Sequence, residues 1–387
     1  MKAKFLSMLA AAALIFASCS SDDDSNNNNT NPDTEQNLAG NVTEDMTLDA
    51  DVEYTLTGAL IVRNGATLTI PAGTTIKAIA GGTGVYVLVE RGGRIIADGT
   101  ADAPITFTSN AATPAAGDWG GVIINGSAPI SRQDGAVSEA PTEINTAILF
   151  GGNNATDNSG ILDYVVIEYT GARIDDGAEH NGLTLNGVGS GTTLSNIMIK
   201  AGDDDAIEFF GGTVNASNIL VVNCTDDMFD FSQGYTGTIT NAYGVREAGY
   251  LAVTSDPRGI EADGNLDGLS PTDINQSNFT VNGMTIINNA AASEATMVDV
   301  IKVRRGATAT INNFYAKFGA GVVVSDLIDL RDSAGDANDA TTINYTVDSS
   351  LAGGAVKNTT VGGATITEGT TNTGADATVF GWTGYSF

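Results

Sequence analysis

An all-β chain wound as a parallel β-helix, a solenoid with inserted loops, is predicted by three observations. First, Glu179-His180-Asn181-Gly182-Leu183-Thr184-Leu185, Asp203-Asp204-Asp205-Ala206-Ile207-Glu208-Phe209 and Asp226-Asp227-Met228-Phe229-Asp230-Phe231 repeat in register. Leu183, Ile207 and Phe229 step by about 22–24 residues, a spacing of stacked repeats. Second, a track with the same step runs through Asn196-Ile197-Met198-Ile199, Asn218-Ile219-Leu220-Val221 and Asn241-Ala242-Tyr243. Third, Gly, Asn and Asp punctuate these short apolar segments, and helix-favouring runs are few. Such a unit cannot bury its apolar side chains alone. Coiling it, so that each strand pairs in parallel with its copy one turn on, closes a narrow core.

The pattern begins near residue 50. Leu60-Ile61-Val62, Ala66-Thr67-Leu68-Thr69-Ile70 and Thr75-Ile76-Lys77-Ala78 form one three-strand rung; Asn64-Gly65 and Ala72-Gly73 supply its tight corners. The next rung is Val87-Leu88-Val89, Arg94-Ile95-Ile96-Ala97 and Ile105-Thr106-Phe107, and Trp119-Gly120-Gly121-Val122-Ile123-Ile124 opens another. Residues 126–159 break the period and read as an insertion at one corner. Such a long loop serves either as a functional segment or as a packing flap. Residues 161–169 resume the track. A second insertion, near 246–276, contains a first-track fragment, Gly259-Ile260-Glu261-Ala262. Later rungs hold Met297-Val298-Asp299-Val300 with Ile311-Asn312-Asn313-Phe314, then Leu327-Ile328-Asp329-Leu330 with Thr342-Ile343-Asn344-Tyr345. The aromatic tail, residues 379–387, is expected to cover the open end of the coil, since a bare β edge invites pairing with other chains.

The chain has 387 residues, 47 of them glycine, and a formal net charge of −29. That charge argues against nucleic acid as a partner, because phosphates require Lys and Arg to neutralise them. It is compatible with divalent cations. Lys2 and Lys4 precede an apolar run over residues 5–17, too short to span a bilayer, so residues 1–18 read as a signal peptide. The run ends Phe16-Ala17-Ser18-Cys19, which resembles a bacterial lipobox with cleavage before Cys19 and lipid on its sulfur; Phe16 and Ser18 depart from the commonest form. Residues 19–40 form a Ser/Asp/Asn-rich tether and residues 41–387 the β-helix domain. Asp22-Asp23-Asp24 resembles the export signal of Bacteroidetes-type lipoproteins, whose implied location is the outer membrane, facing outward. Cys224 is the only other cysteine, so no internal disulfide of the mature domain can form without Cys19.

Stacked rungs lie about 4.8 Å apart, so every aligned column is a physical ladder. Asn196, Asn218, Asn241, Asn282 and Asn312 read as a structural amide ladder at a corner. Glu208, Asp230, Glu261, Asp299 and Asp329, preceded by Thr184, form an outward acidic column. Its mutual repulsion requires cations, basic neighbours such as Lys200, Lys302, Arg304 and Arg331, or raised pKa values. At the preceding corner, Asp203, Asp204 and Asp205 stack on Asp226 and Asp227, near Glu179, His180 and Asn181. These five aspartates are the candidate ligands of a hard cation such as Ca²⁺; the alternative is that they only make the turn.

Gly202-Asp203-Asp204 looks like a motif of polysaccharide hydrolases on this fold, but no Gly-His-Gly accompanies it, and the single histidine, His180, precedes Asn181-Gly182. A lyase would need a basic residue beside Ca²⁺, for which Arg173 or Arg258 could be proposed. Residues 181–193 and 207–215, with Asn158-Ser159-Gly160 and Asp226-Asp227, are similar to a group of secreted bacterial β-helix lipoproteins. That resemblance implies a right-handed, pectin-lyase-like coil at the cell envelope and supplies no catalytic residues. The resulting expectation is a surface-anchored, non-catalytic lipoprotein, held in the outer membrane through Cys19, that binds a glycan or surface protein. The rival is a carbohydrate-active enzyme, hydrolase or lyase, using the Asp-rich patch.

Overall fold

The computed structural model describes residues 35–175, 178–251, 254–266, 268–290, 297–348 and 358–387. The leader, Cys19 and the acidic run Asp22-Asp23-Asp24 lie outside the described residues. The first described strand, Glu35–Val42, starts inside the stretch expected to be tether, and pairs in parallel with Glu53–Val62. Twenty-four strands form one continuous parallel sheet, and each strand pairs with its copy a turn away. The predicted parallel β-helix is the observed fold.

The first track is one face. Val122 pairs with Leu183, Leu183 with Ile207, Ile207 with Phe229 and Phe229 with Ile260. The second track is longer than its apolar core suggested. Thr193–Gly202, Ala216–Cys224 and Thr238–Arg246 each bend in the middle and serve two faces. The bend is a left-handed residue: Asn196, Asn218 and Asn241 have φ of 50°, 56° and 59°. Asparagine tolerates that conformation and its amide bonds the next rung. Asn218 Nδ2 donates to Asn196 Oδ1, and Asn241 Nδ2 to Asn218 Oδ1, both at 2.9 Å.

The amide column breaks there. Asn282 pairs with Thr240, not Asn241, and the next bends are Gly283 and Asn313. Asn282 and Asn312 start a second, offset ladder, with Asn312 Nδ2 donating to Asn282 Oδ1 at 3.1 Å. The acidic column is also corrected. Asp299 pairs with Asp326, while Ile260 pairs with Ile301 and Lys302 with Asp329. Above Glu261 the ladder therefore continues as Lys302 and Asp329, and this lysine is ion-paired to Asp329. A cation in the column itself relieves the repulsion at that end, beside Asp329.

Apolar side chains fill the coil; Phe209, Phe231, Tyr235 and Phe279 stack at its centre. Cys224 is buried in this core, and burial pushes its thiol up to about 12. The aromatic tail does not cap the coil. Thr373 N bonds Asn313 Oδ1, Ala375 N bonds Thr285 Oγ1 and Asp376 N bonds Asn241 Oδ1, so the tail runs back against the stacking direction. Its 3₁₀ turn, Ala377–Thr383, lays Phe380 on an outward apolar patch of Met198, Leu220, Val222, Val245 and Ile287. Trp382 meets Tyr164 edge-on at 5.4 Å. Burying that patch is a stronger demand than covering a terminal edge, because these side chains point out of an otherwise polar flank.

Candidate acidic cleft

A cleft of about 430 Å³ opens on the first-track face. Its floor is the ladder Thr184, Glu208, Asp230 and Glu261, placed by consecutive register. The corner before those strands adds Asp204, Asp205, Asp226 and Asp227, with Glu179 and Asn181 beside them. The first insertion supplies a wall. Ala140–Thr142 and Asn145–Phe150 form an antiparallel hairpin, and Pro141, Glu143, Ile144 and Phe150 line the cleft. Asn125 Nδ2 anchors the hairpin by donating to Thr142 Oγ1 at 2.8 Å. The second insertion is two loops flanking the rung strand Ile260–Ala262; its Leu266 and the nearby Arg304 close the far side.

The sequence-predicted aspartates divide. Oxygen atoms of Asp204, Asp205 and Asp226 lie within 4.8 Å of one another, as do those of Asp227, Asp230 and Glu261. Asp203 turns away: its carboxylate accepts from Arg173 Nε at 3.2 Å, and it does not line the cleft. Gly171 makes this corner possible. It has φ +91°, and a Cβ there would lie 2.5 Å from Asp203 N. His180 is not at the site either. It is buried against Tyr86 and bonded to Thr83 O, and burial drives its pKa down to about 4, so the ring stays neutral. Glu143 was not among the predicted site residues, and Glu179 and Arg304 were named only as neighbours of the aspartate corner and of the acidic column. Glu143 lies in a segment with no period, and Glu179 ends a short hairpin, Arg173–Asp175 with Ala178–Glu179, that the sequence does not announce.

Crowding sets the electrostatics. Burial, then Glu179 and Asp226, raise the Asp204 pKa well above its ordinary value. Burial, then Asp227, does the same for Asp205, and burial, then Asp230, for Glu208. Burial, with Asp256 next, lifts Asp226 to about 6. Asp227 is raised as well, although Arg258 lies 3.7 Å away. Arg258 is shared with Asp256, Glu261 and Asp299, and one guanidinium cannot neutralise four carboxylates. These carboxylates bound from Arg258 raise its pKa against the effect of burial, so it stays charged and is no general base.

A stability consequence follows. A carboxyl whose folded pKa exceeds its unfolded value keeps its proton longer when folded, so stability is lost as pH rises through that window. Asp226 alone contributes on the order of 3 kcal/mol between about pH 4 and pH 7. The melting temperature should be higher at pH 5 than at pH 8, and Asp226→Asn should flatten the difference. An unchanged slope in that variant would remove Asp226 as the source.

The donor set suits a hard cation. Three carboxylates at Asp204, Asp205 and Asp226 offer only oxygen, and Asp205 is itself fixed by accepting from Asp227 N at 2.8 Å.

No curated protein matches the chain at a significant level. Among solved structures, the crystal structure of the Dettilon tailspike protein is similar at 13% identity and a TM-score of 0.20. The match covers 81% of this chain and 62% of that one, so the chain spans less than two thirds of that protein's length. A family model described as a pectate-lyase like beta helix domain matches residues 40–384. The chain belongs to the pectate-lyase-like β-helix family.

Proposed function

We propose that the protein is a surface-anchored, non-catalytic β-helix lipoprotein that binds a glycan in the acidic cleft. The cleft itself carries this reading. It combines rows of carboxylate acceptors with Asn186 and Gln233 amides and the apolar faces of Phe150 and Phe210. Sugars present hydroxyl donors on their rims and apolar C–H faces, and such a lining answers both. Carboxylates on every side repel uronates, so the favoured ligand is a neutral or amino-sugar glycan. The anchor is lipid on Cys19, and the location is the outer membrane facing outward. Cys19→Ala should abolish acylation, read by mass spectrometry, and release the protein from membranes.

A glycan-array screen of the purified protein tests the binding. Phe210→Ala and Glu208→Gln should each weaken the best ligand at least about tenfold, in line with loss of one buried polar or stacking contact. Failure to bind any glycan, or binding indifferent to both substitutions, would reject the reading. Calcium belongs to the same proposal, at Asp204, Asp205 and Asp226. Loading at a hundredfold over its Kd should add about 2.7 kcal/mol of stability. A melting temperature indifferent to calcium would leave the aspartates as a turn.

One observation favours a second reading. Asp226, held at about 6 in a carboxylate-lined cleft, has the raised pKa of the general acid that glycoside hydrolysis uses. Polysaccharide turnover lost in Asp226→Asn would make the protein an enzyme.

A further inference from the structure

Behind the Asp226–Asp227 corner lies a buried cation with no counterion among the described residues. Arg246 ends the strand Thr238–Arg246 and has no exposed surface. Its Nη2 donates to Cys224 O at 3.3 Å and Asp226 O at 3.1 Å. Nε and Nη1 have no acceptor among the described residues. The contrast with the other buried arginines is sharp. Arg258 pairs with four carboxylates, and Arg304 with Glu261, Asp263 and Asp332. Among the described residues no carboxylate is ion-paired to this guanidinium.

The neighbours sharpen the point, because they too have unused polar groups. Asn288, Arg246's register partner one turn on, is fully buried and its Nδ2 has no acceptor. The Tyr250 hydroxyl is buried without a partner, within electrostatic reach of Arg246 and Cys224. Thr225 Oγ1, next to Cys224, is also unpartnered.

We infer that Arg246, with the Asn288 amide and the Tyr250 hydroxyl, forms an internal site for a small monovalent inorganic anion of the chloride class. An uncompensated buried charge costs several kcal/mol, and buried donors without acceptors are rare in folded proteins. A cation is repelled here. A water molecule could bridge these groups, since the Tyr250 and Thr225 hydroxyls also accept, but it would leave the guanidinium charge unbalanced. An anion accepts from the guanidinium and neutralises its charge. Full burial limits it to a small ion and excludes a phosphate ester or the carboxylate of a large ligand. Nη2 of the same guanidinium holds the carbonyls of Cys224 and Asp226, so the ion also steadies the corner that presents Asp226 and Asp227 to the cleft.

Crystals grown in bromide, together with thermal melts in chloride balanced by gluconate at constant ionic strength and pH, test this. Anomalous density should stand within hydrogen-bonding reach of Arg246 Nε or Nη1. The melting temperature should rise with the logarithm of chloride once the site begins to fill. Arg246→Met should lose both signals; if that variant does not fold, the wild-type density and titration decide. Absence of the density overturns the proposal, and so does a chloride dependence that the variant shares. Density with a flat wild-type titration means binding at crystal concentration only, and overturns it as well.

Discussion

Replacing Arg258 with methionine should cost about 3–5 kcal/mol of unfolding free energy at neutral pH, read from urea melts. Arg258 is almost fully buried. Its guanidinium reaches Asp256 and Glu261 at 2.9 Å, Asp299 at 3.4 Å and Asp227 at 3.7 Å. It ties three successive rungs together: the corner of Phe229–Ser232, the strand Ile260–Ala262 and the strand Met297–Lys302. Methionine fills much of the volume but takes the guanidinium from all four acids, of which, among the described residues, only Glu261 keeps another ion pair, to Arg304. Their remaining relief is protonation, so the variant should recover much of its loss toward pH 5. Adding Asp227→Asn and Glu261→Gln should restore stability at neutral pH, since removing both sides of a buried pair costs far less than removing one. A single variant as stable as the parent at pH 8 would show that the network contributes nothing.

That network was only partly legible in the sequence. The step of about two dozen residues fixed which residues stack between Leu183 and Val245, because successive rungs there differ by two residues at most. The same reasoning placed Asp204, Asp205 and Asp226 together, as the structure does. It failed where loop lengths change. Asp299 and Lys302 both lie in apolar surroundings, and both keep alternation with a first-track strand. Only the pairing of Ile260 with Ile301 decides between them. Asn282 and Asn312 misled for a like reason: glycine at 283 does the backbone work that asparagine does at 241, and a search for amides skips it. The cleft wall was illegible. The hairpin Ala140–Thr142 with Asn145–Phe150 pairs antiparallel, outside the solenoid's period, and its position depends on tertiary contacts such as Asn125 with Thr142. The tail's course was hidden similarly, since aromatic residues show a need for burial but not its place.

Phe231→Ala should remove about 3–5 kcal/mol, the usual cost of emptying a buried phenylalanine site. Phe231 stacks on Phe209 at 5.3 Å, on Phe279 at 4.4 Å and on Tyr235 at 5.5 Å between ring centroids, with the planes within 24° of parallel. None of these rings is appreciably exposed. The surrounding backbone cannot close over the void, because the parallel ladder holds each rung at a fixed height above the last. Tyr235 is further constrained by its hydroxyl, which donates to Val214 O at 2.8 Å. The loss should also be local. In a solenoid each rung contacts chiefly its neighbours, so stability is close to a sum of rung and interface contributions. Hydrogen exchange should therefore accelerate most in Ile207–Phe210, Phe229–Ser232 and Ile260–Ala262, and least in Thr67–Ile70 and Arg94–Asp98. The cleft floor lies on the affected strands, so glycan binding should fall together with protection there. Uniform acceleration along the whole chain would mean that the coil unfolds as one unit, and the stacking interfaces would then not be the separable quantities that the repeat implies.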